Sequence, residues 1–310
     1  MTTNKTTPIY DAAATAQLTP YPALIDALHT AAIDYAQHRI VSPERLVVPL
    51  NGGGMLLSMP AAAQDLAIHK LVNVCPRNRE RDLPTIHGQV MAIDANTGDT
   101  LFIVDGPTVT GRRTAAMTLL GVRTFGRAAP RDILLIGTGT QAANHLKALG
   151  ELYPDALVRV RGSTPARAEA FCETHKTRVC HPQPLPNAAV PDSVDLVITL
   201  TTSREAVYTE PPRSGRLVIG VGAFTPDMAE IGAHTLHGSA LFVDDQAGAQ
   251  HEAGDFIQAG IEWRTVTGIA AALTAASPPD KNTPVVFKTV GCAAWDLAAG
   301  RVARAALSAG

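Results

Sequence analysis

The chain has 310 residues, of which 46% are hydrophobic and 17% charged, and a formal net charge of −2. That length allows two domains with sizeable cores. The near-neutral charge gives no electrostatic footprint for nucleic acid or an anionic membrane surface. No apolar run approaches the roughly 20 residues that span a bilayer, and residues 1–7 lack a secretory apolar region. Cys75, Cys172, Cys180 and Cys292 lie far apart without metal-ligand spacing. The expectation is a cytoplasmic protein with reduced thiols, no disulfide and no metal site. The first ten residues read as a loosely packed arm. Over 21–38, Leu24, Ile25, Leu28, Ala31, Ala32 and Tyr35 recur at helical spacing, and Pro43 follows the helix end. Residues 45–50, 55–59 and 66–74 read as strands, 51–54 as a turn and 76–85 as a polar, basic loop. Two more strands, 88–94 and 99–105, flank the turn residues Ala95-Asn-Thr-Gly98. Five strands without interleaved helices predict an antiparallel or mixed α+β domain. A helix is expected over 110–127 and a linker over 128–131.

The apolar run 133–136 leads straight into Gly137-Thr138-Gly139-Thr140-Gln141-Ala142, and a helix-forming segment follows over 140–152. A buried strand feeding a glycine turn and then a helix N-terminus is a pyrophosphate cradle. Gly137 permits the tight turn, Gly139 the backbone approach, and Ala142 the close packing of helix on strand. The unpaired N–H groups and positive dipole end of the helix face the anion. Strands at 157–161, 194–200, 216–221 and 240–243 alternate with helices at 164–175 and 245–252. The fold class expected here is α/β, a doubly wound parallel sheet of Rossmann type binding a dinucleotide. Residues 276–284 read as a surface loop, 285–290 as a last strand and 292–307 as a closing Ala-rich helix. The dinucleotide domain is expected over 129–290.

In NAD-selective folds an acidic residue at the tip of the second strand holds the ribose 2′-hydroxyl. Here the tip reads Val160-Arg161-Gly162-Ser163-Thr164, with Arg167 one turn later and no Asp or Glu. Hydroxyls and guanidinium groups suit a 2′-phosphate. NADP(H) is therefore preferred, with NAD(H) possible. A compatible, simpler reading has Ser163 or Thr164 capping the next helix. Thr201 and Thr202, ending the strand 194–200, are expected on the nicotinamide side, where strand carboxyl ends line the switch point.

Pro43-Glu-Arg45, Met59-Pro-Ala61, His69-Lys70, Arg113-Thr-Ala-Ala116, Gly137-Thr-Gly-Thr-Gln141, Pro226-Asp-Met-Ala-Glu230 and Phe287-Lys-Thr-Val-Gly291 occur in this order. With these stretches the chain, from about Leu18 to its C-terminus, resembles the ornithine cyclodeaminase/μ-crystallin family. The resemblance implies a substrate-binding and dimerisation domain over 1–128, ahead of the Rossmann unit, with the closing segment 291–310 returning to it. It also implies a homodimer built by sheet pairing. Thr110-Gly-Arg-Arg-Thr-Ala-Ala116 and Cys292-Ala-Ala-Trp-Asp-Leu-Ala-Ala299 are most similar to the family's bacterial Δ1-pyrroline-2-carboxylate/Δ1-piperideine-2-carboxylate reductases. Those enzymes form L-proline and L-pipecolate with NAD(P)H, so the implied partner is a small cyclic imino acid.

The resemblance assigns Arg45 and Arg113 to the substrate carboxylate, Arg113 also to the cofactor, and Lys70 to the reacting carbon and nitrogen. A planar guanidinium fork suits a carboxylate. From the residues alone, Arg45 reads as an exposed strand residue and Lys70 as a solvated one. Were Leu71 in the core, Lys70 and Ile68 would share the other face and His69 would be structural. Arg112 and Arg113 point about 100° apart on a helix. Arg113 is chosen because it directly precedes Thr-Ala-Ala, near the expected helix start. The resemblance also makes Val221 and Thr289 cofactor contacts and Glu252 a pocket residue, and Asp296 is expected to support the site from the closing helix. Cyclodeaminases of the family carry an Asp six residues before the Glu at position 230. Here Phe224 stands there and cannot transfer protons, so an imine reductase is favoured over a cyclodeaminase. The neighbouring Asp227 is an alternative proton carrier, but in the family Pro226-Asp227 goes with the μ-crystallin branch and ketimine reduction. The open alternatives are another ketimine reductase, an alanine or N-alkylamino-acid dehydrogenase, and a non-enzymatic NADPH-dependent binder of small ligands. Ser203 lacks a His/Asp pattern for hydrolysis.

Overall fold

The alternating segments of the N-terminal third fold as a meander in the computed structural model, which describes residues 6–126, 128–177, 181–186, 189–275, 280 and 282–309. Its strands are β1 (Ile9–Tyr10), β2 (Leu46–Leu50), β3 (Gly54–Ala62), β4 (Ala67–Val74), β5 (Ile86–Ile93) and β6 (Thr100–Asp105). They form a six-stranded sheet in the order β1-β6-β5-β4-β3-β2. Only β1 runs parallel to its neighbour, so the sheet is mixed. This sheet belongs to a unit of Met1–Ala116 with Cys292–Gly310; Met117–Gly291 is a second unit. The division falls within the helix Gly106–Phe125.

The N-terminal arm is more ordered than expected. Ile9 and Tyr10 pair with Ile103 and Val104, and the helix Ala12–Leu18 follows, its first turn capped by Asp11. A two-residue strand and a seven-residue helix are too short to leave a periodic signal. Residues 1–5 lie outside the described residues. The helix Tyr21–Ala36 and the closing helix Ala293–Ala309 supply the rest of this core. Tyr35 meets Trp295 edge-on, with ring centroids 5.8 Å apart. Gly300 lets the closing helix sit on β4, since a Cβ there would lie 3.1 Å from the Ile68 side chain.

The second unit carries β7 (Asp132–Ile136), β8 (Leu157–Arg161), β9 (Gln183–Pro184), β10 (Leu196–Thr199), β11 (Leu217–Gly220), β12 (Ala240–Val243), β13 (Val266–Gly268) and β14 (Val285–Lys288). All pairings are parallel, in the order β13-β12-β14-β11-β10-β7-β8-β9. Every residue of β7, β10, β11 and β14 is buried, which is why those strands read as unbroken apolar runs. The chain thus carries the expected α/β doubly wound parallel sheet and, in its other unit, a mixed sheet. Short elements such as β9, β13 and the helix Gly254–Gln258 were not legible in the sequence.

The helix expected over 110–127 begins earlier, at Gly106. The Asp105 carboxylate accepts the Thr108 N–H at 2.8 Å, and Pro107 fits a first turn, where its missing N–H costs nothing. Arg127, Cys180 and most of the 276–284 loop lie outside the described residues. Among the described residues, Cys75, Cys172 and Cys292 form no disulfide, and no group of three His, Cys, Asp or Glu could hold a metal. No described helix is long and apolar enough to cross a membrane.

Candidate active site

In the first unit, two of the expected residues, Lys70 and Arg113, gather around a third, Asp296. Lys70 Nζ lies 2.5 Å from Asp296 Oδ2, and Arg113 Nε lies 3.2 Å from Asp296 Oδ1. The Lys70, Arg113 and Asp296 side chains are 3%, 9% and 0% exposed. β4 presents Ile68, Lys70 and Val72 to the buried face and Leu71 outward, the reverse of a strand with Leu71 in the core. His69, on the other face, shares a 2.8 Å hydrogen bond with Ser58 Oγ. Arg113 sits about two turns into its helix, so its backbone N–H is not one of the free donors of a helix start. Its side chain carries any function. Half-buried Arg45 immediately precedes β2. Burial pushes the Lys70 ammonium down to about 8. Asp296 opposes that fall, while Arg113 and Arg45 add to it.

In the second unit, β7 runs into the glycine turn. Gly137 has φ +132°, and a Cβ there would lie 2.6 Å from the Leu200 carbonyl oxygen. Only glycine fits. Gly139 caps the helix Thr140–Leu152 without a side-chain hydrogen bond, and a Cβ on it meets no described atom within 4 Å. At this helix N-terminus Gly139 and Thr140 are exposed and Thr138 and Gln141 half-buried, while fully buried Ala142 seats the helix. His145, one turn on, had been given no role. It is buried, and it bonds the Gln141 carbonyl oxygen at 2.8 Å and Thr118 Oγ1 at 2.9 Å. Burial pushes its imidazole down to about 4, so it is neutral at physiological pH.

At the tip of β8, Arg161 is half-buried and Ser163, Thr164 and Arg167 are exposed. Thr164 Oγ1 accepts the Arg167 N–H at 3.3 Å, capping the helix Pro165–His175. Arg167 Nη1 reaches Ser163 Oγ at 3.4 Å. The capping reading is thus met, and it leaves the Arg167 guanidinium at the surface.

Thr201, Val221 and Thr289 follow the carboxyl ends of β10, β11 and β14. Buried charges pin these ends. The Glu230 carboxylate accepts the Thr201 N–H at 2.5 Å and hydroxyl at 2.9 Å. It also accepts the N–H groups of Gly222 at 2.6 Å and Ala223 at 3.0 Å. Asp255 Oδ1 accepts the Glu230 and Ile231 N–H groups, and Asp255 Oδ2 lies 3.1 Å from Lys288 Nζ. Burial raises the Glu230 carboxyl, with Lys288 opposing. The sequence reading missed Asp255 and Lys288; the one available signal was a lysine ending the apolar run Val285-Val-Phe-Lys288.

Glu252 ends the helix Gln246–Glu252 and is half-buried, on a different element from the pinned strand ends. Phe224 is exposed. Asp227 accepts the Thr225 hydroxyl at 2.6 Å and pairs with Arg204 at 3.2 Å. Those two contacts hold its carboxyl below the usual range, as an exposed anion rather than a proton donor.

Residues 6–310 match the ornithine cyclodeaminase/mu-crystallin family. The chain belongs to that family. This member is 58% identical over 309 residues to the Delta(1)-pyrroline-2-carboxylate reductase 2 of Burkholderia ambifaria. It is equally similar to the Delta(1)-pyrroline-2-carboxylate/Delta(1)-piperideine-2-carboxylate reductase of Azospirillum brasilense, at 58% over 309 residues. The similarity covers 100% of this chain and 99% of each relative. The fold of the family is also that of the Thermococcus litoralis Delta(1)-pyrroline-2-carboxylate reductase, solved with NADH and L-proline. There the TM-score is 0.87 at 22% identity, over 97% of this chain and 98% of that one.

Proposed function

We propose that this chain is an NAD(P)H-dependent reductase of cyclic α-imino acids. It converts Δ1-pyrroline-2-carboxylate to L-proline and Δ1-piperideine-2-carboxylate to L-pipecolate. The observation that carries this reading is the 58% identity, along the whole chain, to a reductase named for both substrates. The residues suit the task. Arg113 and Arg45 grip the substrate carboxylate through charge-assisted, fork-shaped contacts. Lys70, its pKa lowered to about 8, is still protonated at neutral pH yet close enough to neutrality to give its proton up. Protonating the imine nitrogen makes an iminium, a better hydride acceptor, and Lys70 regains its proton from water. The nicotinamide, when bound, supplies the hydride. Much of the rate gain is expected from holding the imine in place.

The cofactor lies along Gly137, Thr138, Gly139, Thr140 and Gln141, with Thr201, Val221 and Thr289 at the nicotinamide end and Glu252 on the substrate side. NADPH is preferred over NADH because Arg161, Ser163, Thr164 and Arg167 occupy the place of the ribose-binding acid. A cyclodeaminase needs a proton-handling group where Phe224 stands. The first unit binds substrate and forms a homodimer. Support for the dimer comes from β2, where Leu46 and Val47 are 62% and 52% exposed on a sheet edge, a surface that soluble monomers normally cover or charge. Replacing Lys70 with Met tests the chemical assignment. Turnover of the cyclic imine falls by about 100-fold or more while NADPH affinity stays within about twofold. Normal turnover in that variant removes Lys70 from the reaction.

A further inference from the structure

We infer that Asp296 is the positioning residue of this site: its carboxylate holds the Lys70 ammonium and the Arg113 guanidinium side by side and keeps Lys70 charged between turnovers. This rests on the reductase reading above. One oxygen of Asp296 lies 2.5 Å from Lys70 Nζ and the other 3.2 Å from Arg113 Nε, with Asp296 itself fully buried. Asp296 engages Arg113 through Nε. The residue also lies in the first turn of the helix Ala293–Ala309, where the positive end of the dipole favours an anion.

The charges around Lys70 make the role more than structural. From the closing helix comes Asp296, from the helix Gly106–Phe125 comes Arg113, and from the segment before β2 comes Arg45. Lys70's partners across the sheet are Met59 of β3 and Val90 of β5, which carry no charge. Two cations, Lys70 and Arg113, therefore share one carboxylate. A buried ion pair rarely improves on apolar packing even when balanced, and this one has cationic excess. An excess positive charge next to an ammonium is costly in the free protein and is relieved by an incoming carboxylate. Asp296 is what keeps the ammonium in place until then. Burial and the two arginines push Lys70 toward the neutral amine, and Asp296 pushes back.

The experiment compares wild type, Asp296→Asn and Asp296→Glu as full-length chains. It reads kcat and KM for Δ1-pyrroline-2-carboxylate from about pH 6 to about pH 10, beside thermal melts. In Asp296→Asn, the alkaline limb of kcat/KM moves down by about one pH unit or more. Turnover at neutral pH drops about tenfold or more, and NADPH KM is unchanged. Asp296→Glu keeps the charge and so keeps the limb near its wild-type position, although the longer side chain lowers kcat. A purely structural carboxylate would move the melting temperature and leave the limb alone; that result overturns the proposal. Loss of fold in both variants overturns it as well, by assigning the carboxylate to the fold. If the wild type itself reduces no cyclic imine, the reductase reading fails. An active wild type with an unshifted Asn variant sinks only the inference about Asp296.

Discussion

His145 and Lys70 are both fully buried bases, and burial acts on both in the same direction. For His145 the consequence is for stability. Its imidazole is pushed from an ordinary 6.5 to about 4, so as pH falls below 6.5 the unfolded chain takes up a proton that the folded chain refuses. Stability is therefore present above 6.5 and lost between 6.5 and about 4. The part lost is on the order of 3 kcal/mol. Urea unfolding at neutral and mildly acidic pH should show that loss in the wild type and its absence in His145→Gln; identical pH dependence of the two would refute it. Lys70 was legible only as part of His69-Lys70 in the family pattern, because a lysine in an alternating strand is usually solvated. Its burial depends on a partner that sequence order hides: Arg113 and Asp296, which share the cluster, are 183 residues apart in the chain. Asp255 and Lys288 escaped notice for the same reason. A charge looks exposed until its counter-charge is located in space.

Elements were legible in proportion to their length and the uniformity of their environment. β7 announced itself because it is buried throughout, and the helix Thr140–Leu152 because thirteen residues give the period room to repeat. The helix carrying Arg113 was started too late because Gly106-Pro107 has turn chemistry in sequence. Only the placement of Asp105 shows that the pair opens a helix. The tip of β8 carries the cofactor preference, and one substitution reads it out. Arg167 is exposed, and its guanidinium is held beside Ser163. A single charge-assisted bond from that group to a 2′-phosphate contributes about 1.5–3 kcal/mol. Arg167→Ala should then raise KM for NADPH about tenfold or more and leave KM for NADH within about twofold. Equal effects on the two cofactors would remove Arg167 from the discrimination.

On the scale of the whole molecule, chain order made the architecture readable. Five of the six strands ahead of the first βα turn were legible as a run without interleaved helices, so the mixed sheet and the doubly wound sheet could be told apart before any contact was known. The edge strand β2 was read as an ordinary strand, and its outward apolar surface became visible only once its place at the sheet edge was known. The cationic cluster suits a preformed cyclic imine rather than an open-chain keto acid and an amine. Steady-state NADPH oxidation measures this most directly, with Δ1-pyrroline-2-carboxylate set against pyruvate plus ammonia. A kcat/KM for the cyclic imine about 100-fold or more above that for the open-chain pair is the predicted result. Preference for pyruvate plus ammonia, or no cofactor oxidation with any cyclic imine, would contradict it.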